Sequence, residues 1–338
     1  MVMLIAEIGV NHNGCPELLE KLINEAKDSG ADACKFQTFK ADKLAKKSTP
    51  KVRYQLATSD PEESHWKMLK NLELSDEMHH LALNQCKSLG LEFISTPYDP
   101  DSVQYLFDLG VKTIKTASAD VVDHRIHKKV VELGMRPIIA VGMASIDEIR
   151  SMLKIYQSAK IPPVLLHCVS NYPCSFESIN LSCMTTLKTE FGYEVGLSDH
   201  SIDCSAASLA VALGASVIEK HFTLNKDMDG PDHKASSTPQ EFKELSEAIA
   251  FAKIILGSPI KRLQDEEKQM YSVSRKSVCL KRPLSKGSKI EMSDLTMIRP
   301  GTGLNGDDFY NLSGHIVNKD LPEGHQISWD DLFDKDSV

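Results

Sequence analysis

The chain has 338 residues, a formal net charge of −8 and a hydrophobic content of 41%. Its length exceeds that of a usual single domain, so we expect a large core with an appended unit. The negative charge gives no electrostatic reason to expect nucleic acid or an anionic membrane as a partner. No apolar run approaches the roughly 20 residues that a membrane helix needs.

The first residues and the cysteines indicate a cytoplasmic protein. Residues 1–6 carry no basic group and lead directly into Glu7, which favours a strand over a signal peptide. The eight cysteines form no CxxC pair. Most of them, such as Cys34, Cys168 and Cys279, lie inside apolar runs, which is typical of reduced thiols in a cytoplasmic core.

Short apolar runs alternate with amphipathic segments along the first two thirds of the chain. The runs predict strands at residues 3–8, 31–39, 91–95, 111–116, 137–141 and 164–169, with a seventh from Val195 and an eighth from Ser216. The segments between and after them predict helices at residues 16–29, 75–89, 101–109, 125–133, 146–156, 179–190, 204–213 and 239–256. No hairpin interrupts the alternation.

This alternation builds either a doubly wound parallel sheet or a closed (β/α)8 barrel, both of the α/β class. Eight units in about 255 residues match the usual size of the barrel. No GxGxxG or GxxxxGK[ST] motif follows a predicted strand, although an open nucleotide-binding sheet often carries one. We therefore predict a (β/α)8 TIM barrel over residues 1–256.

Two regions depart from the repeat. Residues 40–72 form a polar excursion that is too long for an ordinary connection, and we expect it to cover something. Residues 257–273 are polar and are expected to link two domains, with residues 264–270 as a candidate helix. Beyond them, β-prone segments separated by glycine and proline turns predict a small, mostly β domain over residues 274–338, with strands at 277–280, 295–298 and 315–317.

The last two barrel strands each end in an acidic residue followed closely by a histidine. Parallel neighbours carry both histidines, His200 and His221, to the same edge of the sheet, with Asp199 and Glu219 nearby. Two imidazoles beside carboxylates are suited to hold a divalent cation. The alternative is that these histidines simply cap buried strands.

Lysines stand in the middle of two other predicted strands. Lys35 and Gln37 share one face of their strand, so both can point inward. Because a buried ammonium group needs an anionic partner, Lys35 and Lys115 together are suited to bind a phosphate or carboxylate. The alternative is a pair of structural ion pairs with Glu7 or Asp120.

The chain resembles the sialic acid synthase family, whose members make nine-carbon 2-keto acids. Seven motifs in one order carry the resemblance: Ala6-Glu-Ile-Gly-Val-Asn-His12, Lys35-Phe-Gln-Thr38, Ile94-Ser-Thr-Pro97, Leu165-Leu-His-Cys168, Gly196-Leu-Ser-Asp-His200, Ile218-Glu-Lys-His-Phe-Thr223 and Gly230-Pro-Asp232. The C-terminal segment resembles the antifreeze-like (SAF) domain that follows the barrel in these enzymes.

The resemblance implies condensation of phosphoenolpyruvate with the open-chain aldehyde of an N-acylated mannosamine, with release of phosphate. It implies that His200 and His221 hold Mn²⁺, with Mg²⁺ or Co²⁺ as alternatives, and that Lys35, Lys115 and Ser118 bind phosphoenolpyruvate. The remaining residues implied as catalytic or substrate-binding are Glu7, Asp120, Glu219, Gln37, Thr96, Tyr98, Ser170, Tyr172, Ser198 and Asp232. It further implies a domain-swapped homodimer in which Arg299 reaches the barrel of the partner subunit.

Some positions depart from the pattern of the neuraminate enzymes. Asp120 stands where a glutamate is usual, Ala140 and Val141 replace a Ser-Thr pair, and Ser170 replaces an asparagine. The segments 35–40, 54–56 and 230–236 look most similar to the legionaminate branch, whose acceptor is a 2,4-diacetamido-6-deoxy sugar. The product therefore stays open between neuraminate and legionaminate. The alternative functions are a divalent-metal aldolase or isomerase and a non-catalytic sugar-acid-binding module.

Overall fold

The computed structural model describes residues 2–52, 55–56, 59 and 62–333. The chain divides into two compact units, Met1–Gly257 and Ser258–Val338. In the described part of the chain, no helix combines the length and the apolar character that crossing a bilayer requires. The two units are taken in turn.

The first unit is a closed barrel of parallel strands in which each strand pairs with the next and the eighth pairs with the first. The predicted α/β fold, a (β/α)8 TIM barrel, is confirmed. The strands are β1 (Met3–Gly9), β2 (Ala33–Thr38), β3 (Glu92–Pro97), β4 (Thr113–Thr116), β5 (Arg136–Ala140), β6 (Val164–His167), β7 (Glu194–Asp199) and β8 (Val217–His221).

Helices surround the barrel, and the second and third of them lie in the excursion after β2. They are α1 (Pro16–Asp28), α2 (Ala41–Leu44), α3 (His65–Asn71), α4 (Asp76–Leu89), α5 (Pro100–Asp108), α6 (His124–Glu132), α7 (Ile146–Leu153), α8 (Phe176–Ile179), α9 (Ser182–Phe191), α10 (Ser205–Ala212) and α11 (Pro239–Leu256). Their ends follow local rules. Ser75 caps α4 by accepting a hydrogen bond from Met78 N, and Thr238 forms a capping box with Glu241 at the start of α11.

Two predicted helices have different bounds in the structure. The helix predicted at 179–190 is α9, which begins only at Ser182, because Asn180 adopts a left-handed conformation with φ of 46° and ends the short preceding helix α8 at Ile179. Asparagine tolerates this conformation and ends the first helix there. The helix predicted at 146–156 ends at Leu153, and a 3₁₀ turn over Lys154–Ser158 follows.

The barrel interior is apolar at one end and polar at the other. Toward the N-terminal ends of the strands, which we call the lower end, the interior is filled by Ile5, Ala33, Ile94, Ile138, Val164, Leu166 and Val217. Close packing leaves no space at Gly196, where a Cβ would lie 2.2 Å from the carbonyl oxygen of Val217. Because the lower end is filled, the polar residues of the strands collect at the C-terminal end, where barrel enzymes hold their active sites.

The second unit is small and contains a two-stranded antiparallel sheet of β9 (Ser277–Leu280) and β10 (Leu295–Ile298), with helices α12 (Lys268–Ser274) and α13 (Gly306–Asn311). The strand predicted at 315–317 is wrong. Ile316 and Val317 instead make single bridges to Lys289 and Leu332 on different segments. A β-prone run of three residues is too short to extend a ladder when its neighbours pair with different partners.

Candidate active site

A cavity of about 350 Å³ opens at the C-terminal ends of the barrel strands. This volume lies within the range of small-molecule sites. Most of the residues expected at the site line it, namely Glu7, Lys35, Gln37, Thr96, Tyr98, Lys115, Ser118, Ser170, Tyr172, Ser198, His200, Glu219, His221 and Asp232. Residues from the ends of all eight strands thus converge on one cavity.

The alternation of side chains along the strands decides which groups reach this cavity. Lys35 and Gln37 both line it, as do Glu219 and His221, because side chains two residues apart share a face. The expectation that Asp199 lies beside the cation site is wrong. Its carboxylate faces the other way, where it accepts hydrogen bonds from Ser201 and pairs with Lys220 at 2.8 Å.

Two lysines and two glutamates form a buried charged group in the cavity. Lys35 Nζ lies 2.8 Å from Glu7 Oε2 and 3.9 Å from Glu219 Oε1, and Lys115 Nζ lies 3.6 Å from the same Glu219 oxygen. Thr96 Oγ1 accepts a hydrogen bond from Lys35 Nζ at 3.1 Å. The ion pair that we considered as the alternative for Lys35 is therefore present, although both of its members also line the cavity.

The two glutamates differ in their affinity for a proton. Burial raises the pKa of Glu7 to about 7, against the opposing effect of Lys35. For Glu219, burial acts in the same direction, but the ammonium groups of Lys115 and Lys35 outweigh it and lower the pKa to about 2. Glu219 is therefore ionised at neutral pH, whereas Glu7 can both take up and release a proton there.

The rings of the two histidines lie close together in the cavity lining, with centroids 5.6 Å apart. His200 Nδ1 lies 2.7 Å from the Val169 carbonyl oxygen, so this nitrogen donates and Nε2 keeps its lone pair. His221 Nδ1 is buried without a hydrogen-bond partner and lies 3.9 Å from Asp232 Oδ2. Burial lowers the pKa of both imidazoles, which favours the neutral form that binds metal ions.

These features fit a divalent cation, because neutral imidazoles and an unpaired buried nitrogen are what such an ion requires. The described residues contain no preformed group of three or more histidine, cysteine or acidic side chains with metal-binding geometry. Tyr172 packs against both rings, with centroid distances of 4.1 Å to His200 and 5.4 Å to His221. The two imidazoles are thus held on one side by an aromatic ring.

Ser118 lies where the segments that follow β4, β5 and β6 come close together. Its hydroxyl accepts a hydrogen bond from Gly142 N at 3.0 Å and lies 3.0 Å from Cys168 Sγ. A Cβ at position 142 would lie under 3 Å from the side chains of Ser118, Cys168 and Ser170. Only glycine therefore allows these three polar side chains to meet.

Asp232 is positioned by hydrogen bonds between the loops that follow β8 and β1. Ser236 Oγ donates to the Asp232 carbonyl oxygen at 2.7 Å and accepts from Asn11 Nδ2 at 2.9 Å. On the same loop, His233 Nδ1 lies 2.6 Å from Thr223 Oγ1. Burial raises the pKa of Asp232 to about 6. The Asn-His-Asn-Gly segment after β1 therefore contributes to the site by holding this loop in place.

Two expected site residues do not line the cavity. Asp120 lies in a 3₁₀ turn after β4, and its Oδ2 atom is buried without a hydrogen-bond partner. Burial raises the pKa of Asp120 to about 7, assisted by Asp123. Arg299 belongs to the second unit, where it is exposed. Tyr54, which begins one segment of the legionaminate resemblance, lies outside the described residues.

Sequence reasoning missed the apolar residues of the cavity. Five of them are Val10, Leu44, Met68, Leu69 and Leu72, and all but Val10 come from the excursion at residues 40–72. Gln55 from the same segment also lines the cavity. The expectation that this excursion covers something is confirmed. A signal was present, since positions 68, 69 and 72 have the spacing of one apolar helix face.

The chain matches the NeuB family over residues 22–261 and the SAF domain over residues 275–332. It is 41% identical over 334 residues to an N,N'-diacetyllegionaminic acid synthase of Legionella pneumophila, covering 97% of this chain and 94% of that protein. It is 40% identical over 328 residues to an N,N'-diacetyllegionaminic acid synthase of Campylobacter jejuni, covering 96% and 98%.

Among solved structures, it is similar to an N-acetylneuraminic acid (sialic acid) synthetase from Leptospira borgpetersenii serovar Hardjo-bovis in complex with citrate. The TM-score is 0.72 at 31% identity, over 80% of this chain and 90% of that one.

Proposed function

The chain belongs to the NeuB family, and from this premise we propose that it condenses phosphoenolpyruvate with an N-acylated mannosamine-type sugar and releases phosphate. Family membership and the SAF domain confirm the resemblance drawn from the motifs. The observation that carries the proposal is one cavity lined by two buried lysines and two buried imidazoles. The reaction is a C–C bond-forming transfer of the EC 2.5.1 type.

We propose N,N'-diacetyllegionaminate as the product, with 2,4-diacetamido-2,4,6-trideoxymannose as the acceptor. The alternative is N-acetylneuraminate formed from N-acetylmannosamine. The two legionaminic acid synthases described above support the first choice, since each aligns over nearly the whole chain at higher identity than the sialic acid synthetase.

The lysines would bind the anionic groups of phosphoenolpyruvate. Lys35 and Lys115 supply two positive charges in a buried volume, where charge-assisted hydrogen bonds are strong. The Ser118 hydroxyl accepts from Gly142 N and can direct its own hydrogen toward a bound oxygen. Further polar contacts to the substrates are assigned to Gln37, Thr96, Tyr98, Ser170, Tyr172, Ser198 and Asp232, which all line the cavity.

His200 and His221 would hold Mn²⁺, or Mg²⁺ or Co²⁺ in its place. When bound, the ion supplies Lewis-acid polarisation of the acceptor's aldehyde oxygen. The Val169 carbonyl fixes the tautomer and orientation of His200. Ser198 Oγ donates to Glu219 Oε1 at 2.9 Å and so holds that carboxylate beside the imidazoles.

In the reaction, C3 of phosphoenolpyruvate forms a bond to the aldehyde carbon, the π bond of the aldehyde breaks and its oxygen takes up a proton, and water adds to C2 with loss of a proton. The C2–O bond then breaks and phosphate leaves. The proton released by water requires a base, and the raised pKa of Glu7 suits it for proton transfer near neutral pH. Glu219 would remain ionised and stabilise positive charge that develops at C2. Asp120 is a second candidate base, reached through rearrangement or a water molecule.

We also propose a cytoplasmic homodimer with exchanged C-terminal domains, in which Arg299 reaches the partner's barrel. Near the end of α11, Phe251, Ile254 and Ile255 are 63%, 76% and 68% exposed, and such an apolar surface is favourable to cover in an oligomer. The buried free thiols of the barrel, such as Cys34 and Cys86, suit a reducing compartment.

A phosphate-release assay tests the proposal. Protein supplied with Mn²⁺ and phosphoenolpyruvate is offered the diacetamido-trideoxy sugar, N-acetylmannosamine or no sugar. We expect one phosphate per keto acid formed, the faster rate with the diacetamido-trideoxy sugar and no release without sugar. Sugar turnover that proceeds without phosphoenolpyruvate would instead identify an aldolase or isomerase, and binding without turnover would identify a sugar-acid-binding module.

A further inference from the structure

The cavity has two chemically different ends. One end holds the charged and imidazole groups of Lys35, Lys115, Glu219, His200 and His221. The other end is formed by five apolar side chains, which we call the apolar wall and which consists of Val10, Leu44, Met68, Leu69 and Leu72. The wall is a built surface, because Val10, Met68 and Leu72 are buried and pack together with Phe39 in one cluster.

Hydrogen bonds hold α2 and α3, the two helices that carry most of the wall, in place relative to each other. Ser64 caps α3 by accepting a hydrogen bond from Lys67 N. The carboxylate of Glu73, just after α3, accepts a hydrogen bond from Ala41 N at the start of α2, with a distance of 2.7 Å. Because α2 and α3 are tied together in this way, the wall keeps a defined position over the cavity.

A chain of contacts links the two ends in a fixed order. Glu7 pairs with Lys35 and accepts a hydrogen bond from Gln37 Nε2 at 3.3 Å. Gln37 Oε1 in turn accepts from the Tyr98 hydroxyl at 3.3 Å. The Tyr98 ring packs against Phe39, with centroids 5.8 Å apart, and belongs to the cluster that forms the wall. The wall is thus the part of the cavity that lies beyond Tyr98 from the charged end.

Building on the proposed function, we propose that the apolar wall binds the C6 methyl group of a 6-deoxy acceptor and selects it over a 6-hydroxy sugar. The acceptor reacts at C1, which must lie at the charged end, so its other terminal carbon, C6, points toward the opposite end. A methyl group there is removed from water onto apolar carbon. A hydroxyl group in the same place would lose hydrogen bonds to water that the five side chains of the wall cannot replace. Among the described residues of the excursion that line the cavity, Gln55 is the one with a polar side chain.

The test compares two acceptors that differ only at C6, namely 2,4-diacetamido-2,4,6-trideoxymannose and 2,4-diacetamido-2,4-dideoxymannose. Phosphate release with phosphoenolpyruvate and Mn²⁺ gives kcat/KM for each. We expect the wild-type protein to prefer the 6-deoxy sugar by about 10- to 100-fold, which is the range that an apolar pocket achieves for one small group. Leu69→Asn places an amide in the wall and should reduce this preference about tenfold or more.

A matched control separates selection from general destabilisation. Leu81→Asn makes the same substitution at a half-buried leucine of α4 that does not line the cavity, and it should keep the wild-type preference. Leu44→Asn is the second wall variant, used if Leu69→Asn does not fold as judged by thermal unfolding, and it should lower the preference in the same way.

Several outcomes would overturn the inference. Equal kcat/KM for the two acceptors in the wild-type protein would do so while leaving the proposed function intact. An equal loss with both acceptors in the wall variants would assign the wall a purely structural role. If the variants change only the discrimination between N-acetylmannosamine and the 6-hydroxy diacetamido sugar, the wall contacts C4 instead. No phosphate release with any acceptor would overturn the proposed function and this inference with it.

Discussion

Buried carboxylates in the two units of this protein have different surroundings. In the small unit, Asp331 accepts hydrogen bonds from Ser328 N and pairs with Lys319 and His325 at 2.6 and 2.8 Å. In the barrel, Glu219 Oε2 and Asp120 Oδ2 are both buried without a hydrogen-bond partner among the described residues. The Asp331 carboxylate therefore has its hydrogen bonds and ion pairs within the protein. Glu219 and Asp120 each keep one buried oxygen that no described residue hydrogen-bonds.

The difference matters because an unsatisfied buried polar atom costs free energy that a protein rarely accepts without a reason. Glu219 Oε2 is such an atom at the barrel mouth, where it lines the cavity with the unpaired nitrogen of His221 and the two lysines. Asp120 Oδ2 lies outside the cavity lining. A divalent cation would satisfy the carboxylate oxygen and the imidazole nitrogen, and an anionic substrate would pair with the lysines. The comparison therefore assigns function to the barrel mouth and a structural role to the carboxylates of the small unit.

Removing one lysine charge should have a large effect on activity in the barrel and a small effect on stability in the second unit. Lys115→Met takes an ammonium group from the cavity and should lower kcat/KM for phosphoenolpyruvate by about 100-fold, because hydrogen bonds to charged groups contribute about 1.5–3 kcal/mol. Lys319→Met removes a half-exposed partner of Asp331 and should change the free energy of unfolding by about 1 kcal/mol or less. Phosphate release and thermal unfolding measure the two effects. Comparable losses of activity in both variants would contradict the assignment of function to the barrel mouth and of a structural role to Asp331 and its partners.

The second prediction concerns the stability that the Asp331 carboxylate gives to the small unit. Asp331→Ala should lower the free energy of unfolding of the small unit by about 2 kcal/mol, since the variant loses several charge-assisted hydrogen bonds. Partial burial by itself would raise the pKa of Asp331. Hydrogen bonds from Lys319 and His325 outweigh this effect and hold the pKa well below its ordinary value. The stabilisation is therefore present above the ordinary aspartate pKa of 3.8 and is lost as the pH falls below it.

Denaturant unfolding at pH 7 and at pH 3 measures this dependence, with the exposed Glu323→Ala as a control. The difference between wild type and Asp331→Ala should shrink at the lower pH. A difference that stays constant would contradict the assignment of a charged, capping carboxylate.

The third prediction concerns the pH dependence of stability that Asp120 gives to the barrel, and its expected size is the smallest. The pKa of Asp120 is raised from 3.8 to about 7, so the folded state binds more protons than the unfolded state between these values. Stability should then decrease as the pH rises through this window. The Asp120→Asn variant has no group that titrates here, so it should not lose this stability. Its melting temperature relative to that of the wild type should therefore rise between pH 5 and pH 8. Each kcal/mol corresponds to about 2–4 °C. A variant that becomes relatively less stable at pH 8 would show that Asp120 is satisfied by a partner.

Much of this arrangement follows from sequence pattern. The alternation of strands and helices predicts the barrel, because parallel strands need helical crossovers and eight units close the sheet. The period of two along each strand places Lys35 with Gln37 and Glu219 with His221 on inward faces. These local rules place the strand residues of the site. The residues on the loops that follow, such as Ser170, Tyr172 and Asp232, were expected from the family resemblance. Together, 14 of the 16 expected site residues line one cavity.

What the pattern could not predict depends on contacts distant in sequence. Proximity to His200 suggested a cation-binding role for Asp199, but Lys220 on the next strand pairs with it outside the barrel interior. The apolar wall arises from the packing of Met68 and Leu72 against Val10, which lies nearly sixty residues earlier. A polar excursion gives little sign of such a surface until its helices are placed against the barrel.

Binding of a divalent cation to the two imidazoles at the barrel mouth is the central prediction, and it can be measured directly. Chelator-treated protein is titrated with Mn²⁺, and binding is followed by calorimetry for the wild type and for His221→Ala. His315→Ala serves as the matched control, because His315 Nδ1 is also buried without a hydrogen-bond partner but belongs to the small unit.

We expect one Mn²⁺ site per chain in the wild type and in His315→Ala. In His221→Ala, affinity should fall by more than about 100-fold, which is the upper end of the loss caused by removing an outer partner of a metal ligand. Equal Mn²⁺ affinity in wild type and His221→Ala would contradict this prediction.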